Sequence, residues 1–119
     1  MPVNESVEAV SLGFSTADAS SPAIHLGGQT LEVRFVDWQD RPVALTCRDV
    51  FGVRWQEAEH YLGQSERFDG TYRVVGSAWI AEHEGQGLIP KGLEVIHLKL
   101  NFNASGILEV LCASAVVGE

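Results

Sequence analysis

The chain has 119 residues, 45% of them hydrophobic and 20% charged. That composition fits one globular domain with its own core and excludes a disordered tail, a collagen-like repeat and a coiled coil. Sixteen acidic residues against 8 basic ones give a net charge of -8, which argues against a nucleic-acid or anionic-membrane surface, where cationic side chains must neutralise phosphates.

Residues 1–21 are weakly patterned. Val7 to Leu12 reads as an edge strand, and the small, polar stretch Ser15 to Pro22 as a loop or loosely held arm. The strong signal starts at Ala23-Ile24-His25-Leu26, a short strand turned by Gly27-Gly28. From Thr30 to Asp37 the chain alternates: Leu31, Val33 and Phe35 point one way, Glu32 and Arg34 the other. Trp38 to Pro42 is a turn. Val43, Leu45 and Cys47 then share a face, Asp49 to Gly52 is a bend with a bulge expected at Gly52, and Val53 to Trp55 resumes the strand.

Gln56 to Leu62 reads as a helical turn closed by Gly63, and Gly63 to Gly70 as a loop. Thr71 to Val75 is a strand. Ser77 is a good N-cap and Gly85 a good residue just past a helix end, so two helical turns are expected between them. Gly85 to Gly92 is a loop. From Leu93 to Phe102 alternation returns, with Ile96, Leu98, Leu100 and Phe102 on one side and His97, Lys99 and Asn101 on the other. Asn103 to Gly106 is a hairpin turn, Ile107 to Cys112 the return strand, and Ala113 to Val117 its extension. The expected class is α+β: a mainly antiparallel sheet of meander and hairpins with one apolar face and one short helix packed on it, in a single domain over 1–119.

No motif for chemistry is complete. Cys47 and Cys112 have no zinc-binding spacing and lie in apolar runs, as buried reduced thiols do; a disulfide between neighbouring strands is the alternative. His25, His60, His83 and His97 form no ligand pair. His83 stands between Glu82 and Glu84 as a solvated helix-end residue or a general base, and His97 suits a cross-strand hydrogen bond. Ser65, Ser77 and Ser105 lack a nucleophile-elbow context, and Ser77 is explained by capping. Gly85-Gln86-Gly87 follows a helix, so it is no phosphate cradle. Asp37, Asp40 and Asp49 are turn residues. Glu57, Glu59, Glu66 and Asp69 make an acidic stretch with Arg67 alone to offset it, either a solvated loop or a recognition surface. No catalytic, metal or cofactor-binding residue is assigned. Trp38, Trp55 and Trp79 are many for so short a chain, and each either seals a core edge or belongs to an exposed aromatic anchor.

The stretches Val43-Ala44-Leu45-Thr46-Cys47-Arg48-Asp49-Val50-Phe51-Gly52-Val53-Arg54-Trp55, Tyr72-Arg73-Val74-Val75-Gly76-Ser77-Ala78-Trp79-Ile80 and His97-Leu98-Lys99-Leu100-Asn101-Phe102, leading to Leu108-Glu109-Val110, resemble a group of small bacterial α+β proteins, some of them similar to toxin-immunity proteins. The resemblance spans about residues 30 to 112 and brings no catalytic motif.

The leading expectation is a non-enzymatic protein-binding module, immunity-like or for assembly, with a partner surface of acidic loops and aromatic rim: Trp55, Arg54, Glu57, Glu59, Tyr61, Trp79, Glu82 and His83. The alternatives are a small-ligand binder or minor enzyme with a pocket between sheet and helix, using His83 or His97, and a purely structural accessory domain. A homodimer through Val7–Leu12 or Ala113–Val117 is expected because sheets have edges. With neither a basic leader nor an apolar span near the start, a cytoplasmic location is expected.

Overall fold

Period-two alternation becomes strand wherever one face finds cover. In the computed structural model, which describes residues 5–57, 69–102 and 105–118, the elements in chain order are β1 (Ser6–Ala9), β2 (Ala23–Gly27), β3 (Thr30–Val36), β4 (Pro42–Glu57), β5 (Thr71–Val75), α1 (Ala78–Gly85), β6 (Ile96–Phe102) and β7 (Gly106–Gly118). The strands form one antiparallel sheet in the order β1-β5-β6-β7-β4-β3-β2. Among the described residues the domain is mainly β with one eight-residue helix, closer to all-β than the expected α+β class.

β4 and β7 carry the architecture. They pair from Ala44↔Gly118 to Glu57↔Gly106. β3 bonds to β4 only along Pro42–Cys47, and β6 to β7 only along Gly106–Cys112. Pro42 opens β4 at the end of its ladder, where its missing N–H costs nothing. The ladder slips between Val50 and Gly52, leaving Phe51 as the extra residue, one place from the expected bulge. Asp49 just before it is left-handed, φ 54°, which the short polar side chain of Asp tolerates. Gln56 and Glu57 continue the strand rather than starting a helix; the rest of that expected turn and its acidic loop lie outside the described residues.

One face of the sheet holds the core: Leu31, Val33 and Phe35 from β3, Leu45 and Cys47 from β4, Leu98, Leu100 and Phe102 from β6, Leu108, Val110 and Cys112 from β7. The segment between β1 and β2 crosses this face. Val10 N–H donates to Thr71 O at 3.1 Å at one side, and Ser20 N–H to Val36 O at 2.8 Å at the other. Between them Phe14 meets Phe35 edge-on at 5.4 Å, and Phe35 meets Phe102 at 5.1 Å. Thr16 and Ala19 are buried and the Ser20 hydroxyl accepts from Val36 N–H at 2.9 Å, so 15–22 is an anchored strap rather than a loose arm. Cys47 and Cys112 are free thiols buried in this core; a hydrogen bond between them holds the Cys47 pKa down and, with burial, pushes that of Cys112 up.

The expectation of a single apolar face needs correction. On the opposite side of β6, His97, Lys99 and Asn101 are buried, as are Tyr72 and Val74 on β5. α1 lies over part of this second face. Its start is as expected: the Ser77 hydroxyl accepts from Ile80 N–H at 3.1 Å. Its end falls two residues later than expected. Gly85 is inside the helix, Gln86 is the C-cap, and Gly87 takes the left-handed conformation at φ 72°. Gly87 N–H then donates to Glu84 O and Leu88 N–H to His83 O, the paired bonds of a Schellman ending.

Candidate functional site

Three neighbouring elements build a closed polar chain under α1. β6 supplies His97, β7 supplies Glu109, and the turn into α1 supplies Ser77. Ser77 Oγ is 2.7 Å from His97 Nδ1, and His97 Nε2 is 2.7 Å from Glu109 Oε1. A carboxylate only accepts, so Nε2 carries a hydrogen; in the neutral ring Nδ1 then accepts the Ser77 hydroxyl proton. On β4, Arg54 lies opposite Glu109 in register and donates to Oε1 at 3.0 Å. Its guanidinium sits 4.0 Å from the centre of the Trp79 ring, and Trp79 meets the His97 ring edge-on at 5.3 Å. Gly52 makes room for Trp79: a Cβ there would stand 2.6 Å from Cζ2 of the indole. His83 donates from Nδ1 to the Trp79 carbonyl at 2.9 Å.

Glu109 anchors this chain. Burial pushes its pKa up, but the hydrogen bonds from His97 and Arg54 outweigh it and hold the carboxyl at about 2. Because the folded value lies below the ordinary one, the stabilisation is fully present above about pH 4.5 and is lost as pH falls toward 2. The displacement corresponds to on the order of 3 kcal/mol as an upper bound. Stability should therefore decline between pH 5 and about 2, and Glu109→Gln should flatten that decline; urea unfolding across the range reads it, and equal slopes for variant and parent would refute the assignment.

Ser77, His97 and Glu109 have the serine–imidazole–carboxylate order used in nucleophilic catalysis. Their surroundings give them a structural role. Ser77 Oγ already caps α1, and the neighbouring Ala78 N–H, positioned as an oxyanion donor would be, is bound by the Glu5 carboxylate at 2.8 Å. The His97 ring is 2% exposed. The arrangement works as a clamp holding α1 to the sheet. Beside it, where β5 leaves its pairing with β6 after Arg73↔Leu98, a cleft of about 370 Å³ opens, floored by Ser77 and His97 and walled by Val74, Ile80 and Ile96. Among the described residues no group of His, Cys, Asp or Glu is placed to hold a metal ion, and no helix is long and apolar enough to cross a membrane.

The candidate partner residues are divided between the faces. Arg54, Trp79, Glu82 and His83 lie on the helix side, with Glu82 exposed and Trp79 and His83 half-buried. Trp55 faces the core side, 39% exposed, its ring 6.5 Å from that of Phe102, with Glu57 beside it on a groove shared with Pro22 and Ile24. Glu59 and Tyr61 lie outside the described residues. Trp38 is 59% exposed at the β3–β4 turn, away from both groups. The sequence explains Ser77 by capping and offers His97 either as a cross-strand hydrogen-bond partner or as a pocket residue; Glu109, which bonds to His97, becomes visible only when β7 is aligned between β4 and β6. No family model, curated protein or solved structure matches the chain.

Proposed function

We propose that the protein is a non-enzymatic binding module for another protein and that α1 is the element it displays. The observation that carries this is that α1 contains no buried residue, yet is held to the sheet by the buried Ser77–His97–Glu109 chain and the Arg54–Trp79 stack. A helix used for core packing buries an apolar stripe; this one is fixed by polar contacts at its base and turns Glu82, Glu84 and the following Leu88 to solvent. With a net charge of -8, such a ridge suits a partner with a basic surface. An immunity-like inhibitor and an assembly module are both forms of this reading.

A photo-crosslinker placed at Glu84 in the source cells should give one discrete, salt-sensitive adduct that Glu82→Lys abolishes, while the same probe at Asp40 gives none. Equal labelling at both positions, or an adduct indifferent to Glu82→Lys, would refute the assignment. A small-ligand binder is the second reading, favoured by the cleft between α1 and the splayed strands. Ile80→Trp would fill that cleft; loss of a bound small molecule seen by native mass spectrometry would favour it over the protein-binding reading.

A further inference from the structure

The free edge of β2 is a pairing surface that the charge pattern leaves open. Among the described residues β2 is the last strand of the sheet and is bonded only to β3, and all five of its residues are exposed. The turn Gly28-Gln29 is two residues long, so Gly27 and Thr30 form the hydrogen-bonded pair that closes the hairpin. By antiparallel alternation Ile24 and Leu26 then direct their N–H and C=O groups away from β3. An edge of this kind is usually guarded by lysine, proline or a bulge. Ala23-Ile24-His25-Leu26-Gly27 has none of these, and leaves Ile24 37% and Leu26 54% exposed.

We infer that a second copy of this chain docks on β2, strand against strand, about a two-fold axis at His25. The register is self-complementary: Ile24 of each copy pairs with Leu26 of the other, joining the four outward-pointing backbone pairs and placing branched aliphatic side chains opposite each other. Charge selects this edge. The run from Ala19 to Leu31 has no Asp, Glu, Lys or Arg, and is the longest such run in a chain of net charge -8; it is where two acidic molecules approach with least repulsion. The other outer strand, β1, carries Glu8 with Glu5 next to it, so self-pairing there sets like charges together. Ala113–Val117, also expected as a docking strand, is bonded to β4 on one side as far as Gly118 and, among the described residues, is open on the other beyond the end of the β6 ladder at Cys112; a dimer through it would survive a lysine at position 26. The inference is independent of the role proposed for α1, which lies on another part of the molecule.

Light scattering coupled to size exclusion tests it over about a hundredfold range of concentration. The parent should approach twice 12.9 kDa at the upper end, and Leu26→Lys should remain at 12.9 kDa throughout. Ile24→Pro serves as the second variant, because it removes an outward N–H without taking a bond from β3. Amide exchange at Ile24 and Leu26 in the parent should slow as concentration rises. A parent of 12.9 kDa at every concentration, exchange there independent of concentration, or a dimer that persists in both folded variants would each overturn the inference.

Discussion

Phe102→Ala should lower the free energy of unfolding by about 3–5 kcal/mol. Phe102 is 2% exposed and is the joint of the aromatic row on the core face, edge-on to Phe35 at 5.1 Å and near Trp55 at 6.5 Å. It stands at the end of β6, opposite Gly106. Gly106 is already packed closely, since a Cβ there would run into the Gln56 carbonyl and stand 2.6 Å from the Trp55 ring, and this limits how far the strands can close the gap. The cavity therefore stays open and the cost falls toward the upper part of the range. Since small domains are stable by only about 5–15 kcal/mol, the urea midpoint should drop steeply with little change in slope. A loss below about 1 kcal/mol would mean that the core refills and that the row is not a fixed joint.

His97→Leu should cost about 2–4 kcal/mol, because it leaves Glu109 charged and part-buried with Arg54 alone, and removes the acceptor of the Ser77 hydroxyl. Amide exchange at Ile80 and Ala81 should quicken with it, since α1 has no buried residue and would keep the Arg54–Trp79 stack but lose the buried polar chain. Glu109→Gln on top of His97→Leu should cost much less than the two separate changes combined, because the second removes the charge that the first strands. Strict additivity would show that the three side chains are neighbours and not a clamp.

The strands were legible because their pattern is local. Leu31, Val33 and Phe35 alternate with outward-facing residues in the sequence and in the sheet, and Ser77 marks the helix start by its own side chain. The helix end was less legible: Gly85 and Gly87 both suit the position, and the choice depends on the bonds of Leu88 and Gly87 back to His83 and Glu84. Gln56 and Glu57 have helical propensity, yet pairing with Ile107 and Gly106 keeps them in β4. Alternation along β6 separated His97, Lys99 and Asn101 from the apolar side but said nothing of whether that second side is covered. Arg54 and Trp55 are adjacent in sequence, yet the strand puts them on opposite faces. Glu109 was invisible as a site residue because its role needs a register between positions 54, 97 and 109 on three different strands.

The position of β7 bears on how the chain assembles. It is the last element in chain order and the fourth of seven in the sheet, between β4 and β6. During synthesis from the N-terminus, β2, β3 and β4 can form one ribbon and β1, β5 and β6 another, but no strand ladder joins them until β7 is made. Each half meanwhile shows an unpaired inner edge. Pairing Ala44 with Gly118 closes a long loop before its contacts can repay the lost entropy, which is characteristic of slow folding. The exposed period of this protein's life is thus its own synthesis, when β4 and β6 wait for the strand that separates them in the finished sheet.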